Sequence, residues 1–166
     1  AMRLFRGDNA LTHGVTRCWQ GIGTGTSGLD LTSFNSVSIR ATFKIASQSL
    51  SACGFDGSEC PLMLRMDYIP AEGGDAVTWF HGFYASVDPN RFFPSSCLSC
   101  NEQHERITPN VWYTYESHNL FEVFAPEAQP RSILNLSFYA SGHQYDVYVS
   151  EVTLVADQFE ITPTGS

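Results

Sequence analysis

The chain has 166 residues, 43% of them hydrophobic and only 16% charged, with a formal net charge of −8. A chain of this length buries roughly two-thirds of the surface its unfolded form exposes, so a core is expected without help from metal or disulfides, and the simplest organisation is a single domain over residues 1–166. Its nine Lys and Arg are scattered without a run; that speaks against nucleic acid and anionic membranes, which need clustered cations, and favours a neutral or cationic partner.

No window approaches the ~18–20 apolar residues of a membrane span. No basic segment followed by an apolar one opens the chain, and the initial "AM" reads as a processed start or a cloning scar.

The dominant period along the chain is two, as in strands with one wet face. After the turn "GIGTGTSG", the run "SVSIRATFKI" places Val37, Ile39, Ala41, Phe43 and Ile45 on one face and Ser38, Arg40, Thr42 and Lys44 on the other. "PLMLRMDYI" sets Leu62, Leu64, Met66 and Tyr68 inward against Met63, Arg65 and Asp67. In "AVTWFHGFYA" both alternating sets hold aromatics, so the period does not choose between Trp79, His81 and Phe83 on one side and Phe80 and Tyr84 on the other. "VWYTYES" puts Tyr113 and Tyr115 together and Trp112, Thr114 and Glu116 opposite. "SILNLSFYA" offers Leu134, Leu136 and Phe138 to the core, and "YDVYVSEVTLV" closes it.

Turn clusters such as "PAEGG", "VDPN" and "TPN" punctuate these runs, and the one helical hint is a turn near "APEAQP". The pattern predicts an antiparallel β-sandwich with its core at about 2–155 and a tail, "ADQFEITPTGS", over 156–166. Residues 87–110 have no period and form a long loop, a feature that in compact domains is usually functional.

Three stretches carry a resemblance: "GLDLTSFNSVSIRATFKI", "ECPLMLRMDYI" with "WFHGFYA", and "SFYASGHQYDVYVSEVTLV". The first and last resemble the opening and closing strands of galactose-binding-like jelly-roll domains, the fold of many carbohydrate-binding modules. With "CGFDGSECPLMLRMDY" and "WYTYESHNLF", nearly the whole chain also resembles uncharacterised extracellular C-terminal domains of environmental bacteria, which bring no activity with them. The wider family implies a jelly-roll sandwich, often a structural calcium near the chain ends, and frequently a glycan ligand. For calcium, Asp8 and Asn9 before the first predicted strand and Glu151 in the last resemble the end-to-end arrangement of such modules; the family's closing "DD" is here Ser150 and Glu151.

If the central strands are neighbours, Arg40, Lys44, Arg65, Asp67, Trp79 and His81 share one polar face. An indole takes the apolar face of a pyranose, and charged groups bond its hydroxyls. The same letters also suit a solvated ion-paired face with Trp79 in the core. Tyr113 and Tyr115 form a stacking platform or core aromatics, while Trp112 is expected in the core. Phe92 and Phe93 lie in a loop that cannot bury much, and either cap the sandwich or form a contact patch.

The five cysteines divide into Cys53 and Cys60, Cys97 and Cys100, and a leftover Cys18. Cys97, Cys100 and His104 begin a zinc set that Cys53 or Cys60 would complete. Two local disulfides account for the same four thiols, cross-pairing is a third arrangement, and the extracellular resemblance favours the disulfides over zinc.

No G-x-S-x-G, HExxH or Walker sequence is present. The expectation is therefore an extracellular or cell-surface module that binds carbohydrate without catalysis. The alternative is a structural or adhesion module of a cell-surface or filamentous protein, touching a neighbouring protein or itself through Cys18 or the aromatic loop. A polysaccharide lyase or hydrolase, with Tyr139 and His143 as acid and base, is the third reading.

Overall fold

Alternation along the strands produces two stacked sheets with one apolar layer between them. The computed structural model describes residues 1–23, 27–100 and 102–158. In chain order the strands are β1 (Met2–Arg6), β2 (Gly14–Gly21), β3 (Leu29–Asp30), β4 (Phe34–Gln48), β5 (Leu62–Pro70), β6 (Val77–Tyr84), β7 (Glu105–Arg106), β8 (Tyr113–Glu116), β9 (Pro130–Gly142) and β10 (Tyr145–Gln158). A single-turn helix α1 (Leu120–Val123), capped by the Asn119 side chain, and a 3-10 turn at Pro126–Ala128 lie between β8 and β9.

The first sheet has the order β1-β10-β4-β8 and the second β2-β9-β5-β6-β7, with β3 also on β9. Every pairing is antiparallel except β6 with β7. No helix among the described residues is long and apolar enough to cross a membrane.

The inner row of β4 is as the period predicts: Val37, Ile39, Ala41, Phe43 and Ile45 are all fully buried, each of the larger side chains worth about 1.5–3 kcal/mol relative to exposure. Leu62, Leu64, Met66 and Tyr68 face them from β5. Phe43 packs against Phe83 with ring centroids 4.6 Å apart and the planes tilted, and Tyr113 and Tyr115 close around the pair.

Several expectations are corrected. β1, β2, β3 and β7 carry no long apolar alternation and were not anticipated. β7 falls inside the stretch read as a structureless loop. A register shift between Asp67 and Tyr68 bulges β9, so Ile133 enters the core where Leu134 was expected. Trp112 is 48% exposed rather than buried, because it precedes β8 on the outward side and lies over Lys44. β10 continues through Gln158, past the expected limit at Val155, since Val37, Ser36 and Phe34 of β4 keep pairing with it. Part of the "GIGTGTSG" turn (24–26) and the tail beyond 158 lie outside the described residues.

Candidate functional site

The register of the second sheet builds its outer face row by row. Trp19, Ser137, Arg65 and Phe80 lie in one row across β2, β9, β5 and β6; Asn135, Asp67 and Thr78 form the next; Arg17, Tyr139 and Met63 the one before. Period two sends all of these side chains to the same side. Arg17, Trp19, Arg65, Asp67, Asn135 and Ser137 line a groove of ≈240 Å³, with Trp19 72% exposed and Ser137 buried beneath it.

Asp67 is the fixed point of this groove. Its Oδ1 accepts from Arg65 Nε at 2.9 Å and from Thr78 at 2.6 Å, and its Oδ2 from the Arg65 terminal nitrogen at 3.0 Å and Asn135 at 2.8 Å. Burial works against the charge, but these bonds outweigh it and hold the carboxyl below its ordinary range. Arg65 is locked in a two-pronged pair and also lies over Phe80. Arg17 lies over Tyr139 at 5.1 Å.

Of the residues expected to share one polar face, the structure brings Arg65 and Asp67 together and separates the rest. Arg40 and Lys44 are on the outer face of the other sheet, paired with Glu116 and stacked with Trp112 and Tyr148. Trp79 and His81 point inward, opposite Met66 and Leu64, and are core residues. The indole beside Arg65 is Trp19, which "TRCWQ" carries in alternation within an edge strand. Its signal was inverted: Val15 and Trp19 face solvent while Thr16 and Cys18 are partly covered.

The rest of this face is roofed by the two cysteine loops. Cys53 bonds Cys60 and Cys97 bonds Cys100, leaving Cys18 as the free thiol. Cys53, Cys60 and Met63 form a small second core with Phe80, Tyr84 and Tyr139 packed against it. Two glycines allow this closeness. A Cβ on Gly82 would lie 2.4 Å from Cys60 Sγ and 2.5 Å from His104 Nδ1, and one on Gly57, whose φ is +70°, 2.3 Å from the Ser96 carbonyl.

His104 sits between the bridges. Its Nε2 donates to the Gly57 carbonyl at 2.6 Å and lies 3.8 Å from Cys100 Sγ. Burial lowers its pKa. Its ligand atoms lie within 4.8 Å of Cys53 and Cys60, and within 4.8 Å of Cys97 and Cys100. Zinc takes thiolates, so metal and disulfide are alternatives for the same sulfurs.

On the β6 side a second polar group closes the gap between the sheets. His81 is 2% exposed and stacks on Tyr115 at 4.9 Å. Its Nδ1 faces Glu102 at 3.4 Å and its Nε2 faces Glu105 at 3.6 Å, neither aligned as a hydrogen bond among the described residues. Burial depresses the imidazole to about 4, against the opposing pull of Glu105. Burial also raises Glu102, and pushes Tyr115 up with help from Glu102 and Glu105. Tyr113 donates to Glu105 at 2.6 Å, which raises its own pKa to about 12. Tyr113 and Tyr115 therefore belong to this seam. Glu102 and Glu105 escaped the sequence reading because nothing in "NEQHER" carries a period.

The remaining candidates are dispersed. Phe92 is 94% exposed, beside a partly covered Phe93. Asp8 and Asn9 follow β1 rather than precede it, and Gln144 donates to the Asp8 carbonyl. Glu151 lies seven residues further along β10, and the structure does not bring the three together. Tyr139 lies under Arg17, whereas His143 follows the end of β9 with its carbonyl on Arg6. No protein-family model, curated protein or solved structure matches this chain.

Proposed function

We propose that this chain is an extracellular, non-catalytic module that binds carbohydrate in the groove on the outer face of its second sheet. The observation that carries the reading is the exposed Trp19 indole standing across Ser137 from an Arg65 that Asp67 holds in place. A flat apolar ring takes the CH face of a pyranose, and groups already locked by partners lose little entropy when they bond its hydroxyls.

The strand order supports a jelly-roll sandwich. With the two-residue strands β3 and β7 set aside, the sheets read β1-β10-β4-β8 and β2-β9-β5-β6, an eight-stranded double sheet. The two disulfides are compatible with an oxidising, extracellular setting. A glycan array with wild-type protein and Trp19→Ala tests the reading. Binding by the wild type that Trp19→Ala abolishes supports it, and no binding on the array overturns it.

A second reading, assembly with a neighbouring surface protein, is favoured by Phe55, Phe92 and Leu98, which stand almost fully exposed on the cysteine loops. Light scattering on the same sample separates the two: concentration-dependent growth abolished by Phe92→Ser with Leu98→Ser, without glycan binding, favours assembly.

A further inference from the structure

We infer that the groove over Ser137 selects acidic glycans, pyranoses whose carboxylate or sulfate ester is taken by Arg17 and Arg65. This rests on the glycan reading above and concerns which glycan the site prefers.

The lining of the groove holds more free donors than free acceptors. An ionised carboxylate offers about four lone-pair sites, and Asp67 already fills four with Arg65, Thr78 and Asn135. The strongest acceptor of the groove is therefore spent inside the protein. What faces the ligand is rich in donors. Arg17 has five N–H groups and no carboxylate partner among the described residues, and it lies over the Tyr139 ring. Arg65 commits Nε and one terminal nitrogen to Asp67 and keeps its other terminal nitrogen. The acceptors left are Asn135 Oδ1 and the Ser137 hydroxyl.

A neutral sugar presents hydroxyls that both donate and accept, and in this lining their protons find few partners. An anionic substituent only accepts, and bonds to a guanidinium are about twice as strong as neutral ones. The spacing suits one residue of a chain. Arg17 and Trp19 are two positions apart on one strand, about 7 Å, and Arg65 lies two strands from Trp19, about 9.5 Å. A ring against the indole thus has a guanidinium beside it and another across from it. The net charge of −8 favours neutral or cationic partners for the molecule as a whole. Locally, two guanidiniums stand against one carboxylate that is already engaged.

The test is isothermal titration of the full chain with three oligosaccharides of equal length, a neutral galactan, an oligogalacturonate and a sulfated galactan. At least one acidic ligand is expected to bind about tenfold tighter than the neutral one, the ratio that a single charge-assisted bond supplies. Arg17→Gln, on an exposed edge strand, removes that preference at unchanged melting temperature. Gain with the uronate alone assigns the site to carboxylates; gain with both assigns it to charge. Equal affinity for the neutral ligand, or a preference that survives Arg17→Gln, overturns the inference. If the neutral ligand binds equally and Trp19→Ala abolishes it, or if none of the three binds while the array shows another glycan bound, only this inference falls; if the array is blank as well, the glycan reading falls with it.

Discussion

On the outer face of the first sheet, Arg40 meets Glu116 at 3.0 Å, Arg3 meets Asp146 at 2.8 Å, and Lys44 lies over Tyr148 and Trp112. On the outer face of the second, Arg65 is engaged by Asp67, while Arg17 and an exposed Trp19 have no carboxylate partner among the described residues. Both faces hold cations beside aromatics, the combination that suggests a sugar site in the sequence. The difference is what remains unspent. The first face closes its cations pairwise into a ladder, and the second leaves a guanidinium and an indole around a hollow. Residue type alone therefore does not separate the two faces; the bonding capacity left over in a concave place does.

The comparison breaks most easily at the tryptophans. Trp79→Ala removes a fully buried ring opposite Met66 and is expected to cost about 3–5 kcal/mol, read as a lower urea midpoint. A change below 1 kcal/mol, with glycan binding lost, would return Trp79 to the ligand side.

Next comes pH, which probes the seam behind the second sheet. His81 titrates near 4 when folded and near 6.5 when unfolded. Between those values the unfolded chain binds the extra proton, so stability present above pH about 6.5 is lost as pH falls towards 4, by up to about 3 kcal/mol. His104, also lowered by burial, adds in the same direction, and Glu102, raised by burial, opposes it. Unfolding free energies measured from pH 7 to 4 should fall, and His81→Phe should flatten the slope; a slope unchanged in that variant contradicts the assignment.

The cysteine roof is a step smaller. Cys53→Ser with Cys60→Ser opens a seven-residue separation and should cost about 2.5 kcal/mol. The three-residue Cys97–Cys100 bridge should cost somewhat less, about 2 kcal/mol. A reversed order in chemical denaturation would show that the roof is held mainly by its packing. Smallest of all, Arg40→Ala on the first face removes an exposed pair worth less than about 1 kcal/mol and should leave glycan affinity unchanged. Any loss of affinity there would move the site to the wrong face.

How much of this was legible follows from which signals are local. The long strands were, because β4 and β5 bury strictly alternating sets against a single core. The two short cysteine pairs were legible, but not their connectivity: spacing left zinc and cross-pairing open, and the structure joins Cys53 to Cys60 and Cys97 to Cys100. Which sheet a strand joins was not legible. Arg40 and Arg65 look alike in alternation, and only the crossing of β4 into one sheet and β5 into the other sends them to opposite faces. Trp79 and Trp19 belong to the same sheet, and register alone turns the first inward and the second outward. "AVTWFHGFYA" is aromatic in both registers, and its buried set is decided by pairing with Leu64 and Met66. In "GVTRCWQG" the apolar residues face outward on an edge strand, so hydrophobicity pointed nowhere. The seam of His81, Glu102 and Glu105 joins segments some twenty residues apart, beyond the reach of any period.

The central claim is that Trp19 and its neighbours on the second sheet form the ligand site. Titration of the array's strongest glycan into wild type, Trp19→Ala and Trp112→Ala, each checked for an unchanged melting temperature, tests it directly. The account predicts that binding disappears in Trp19→Ala and persists in Trp112→Ala. Binding that survives in the first and is lost in the second would contradict it.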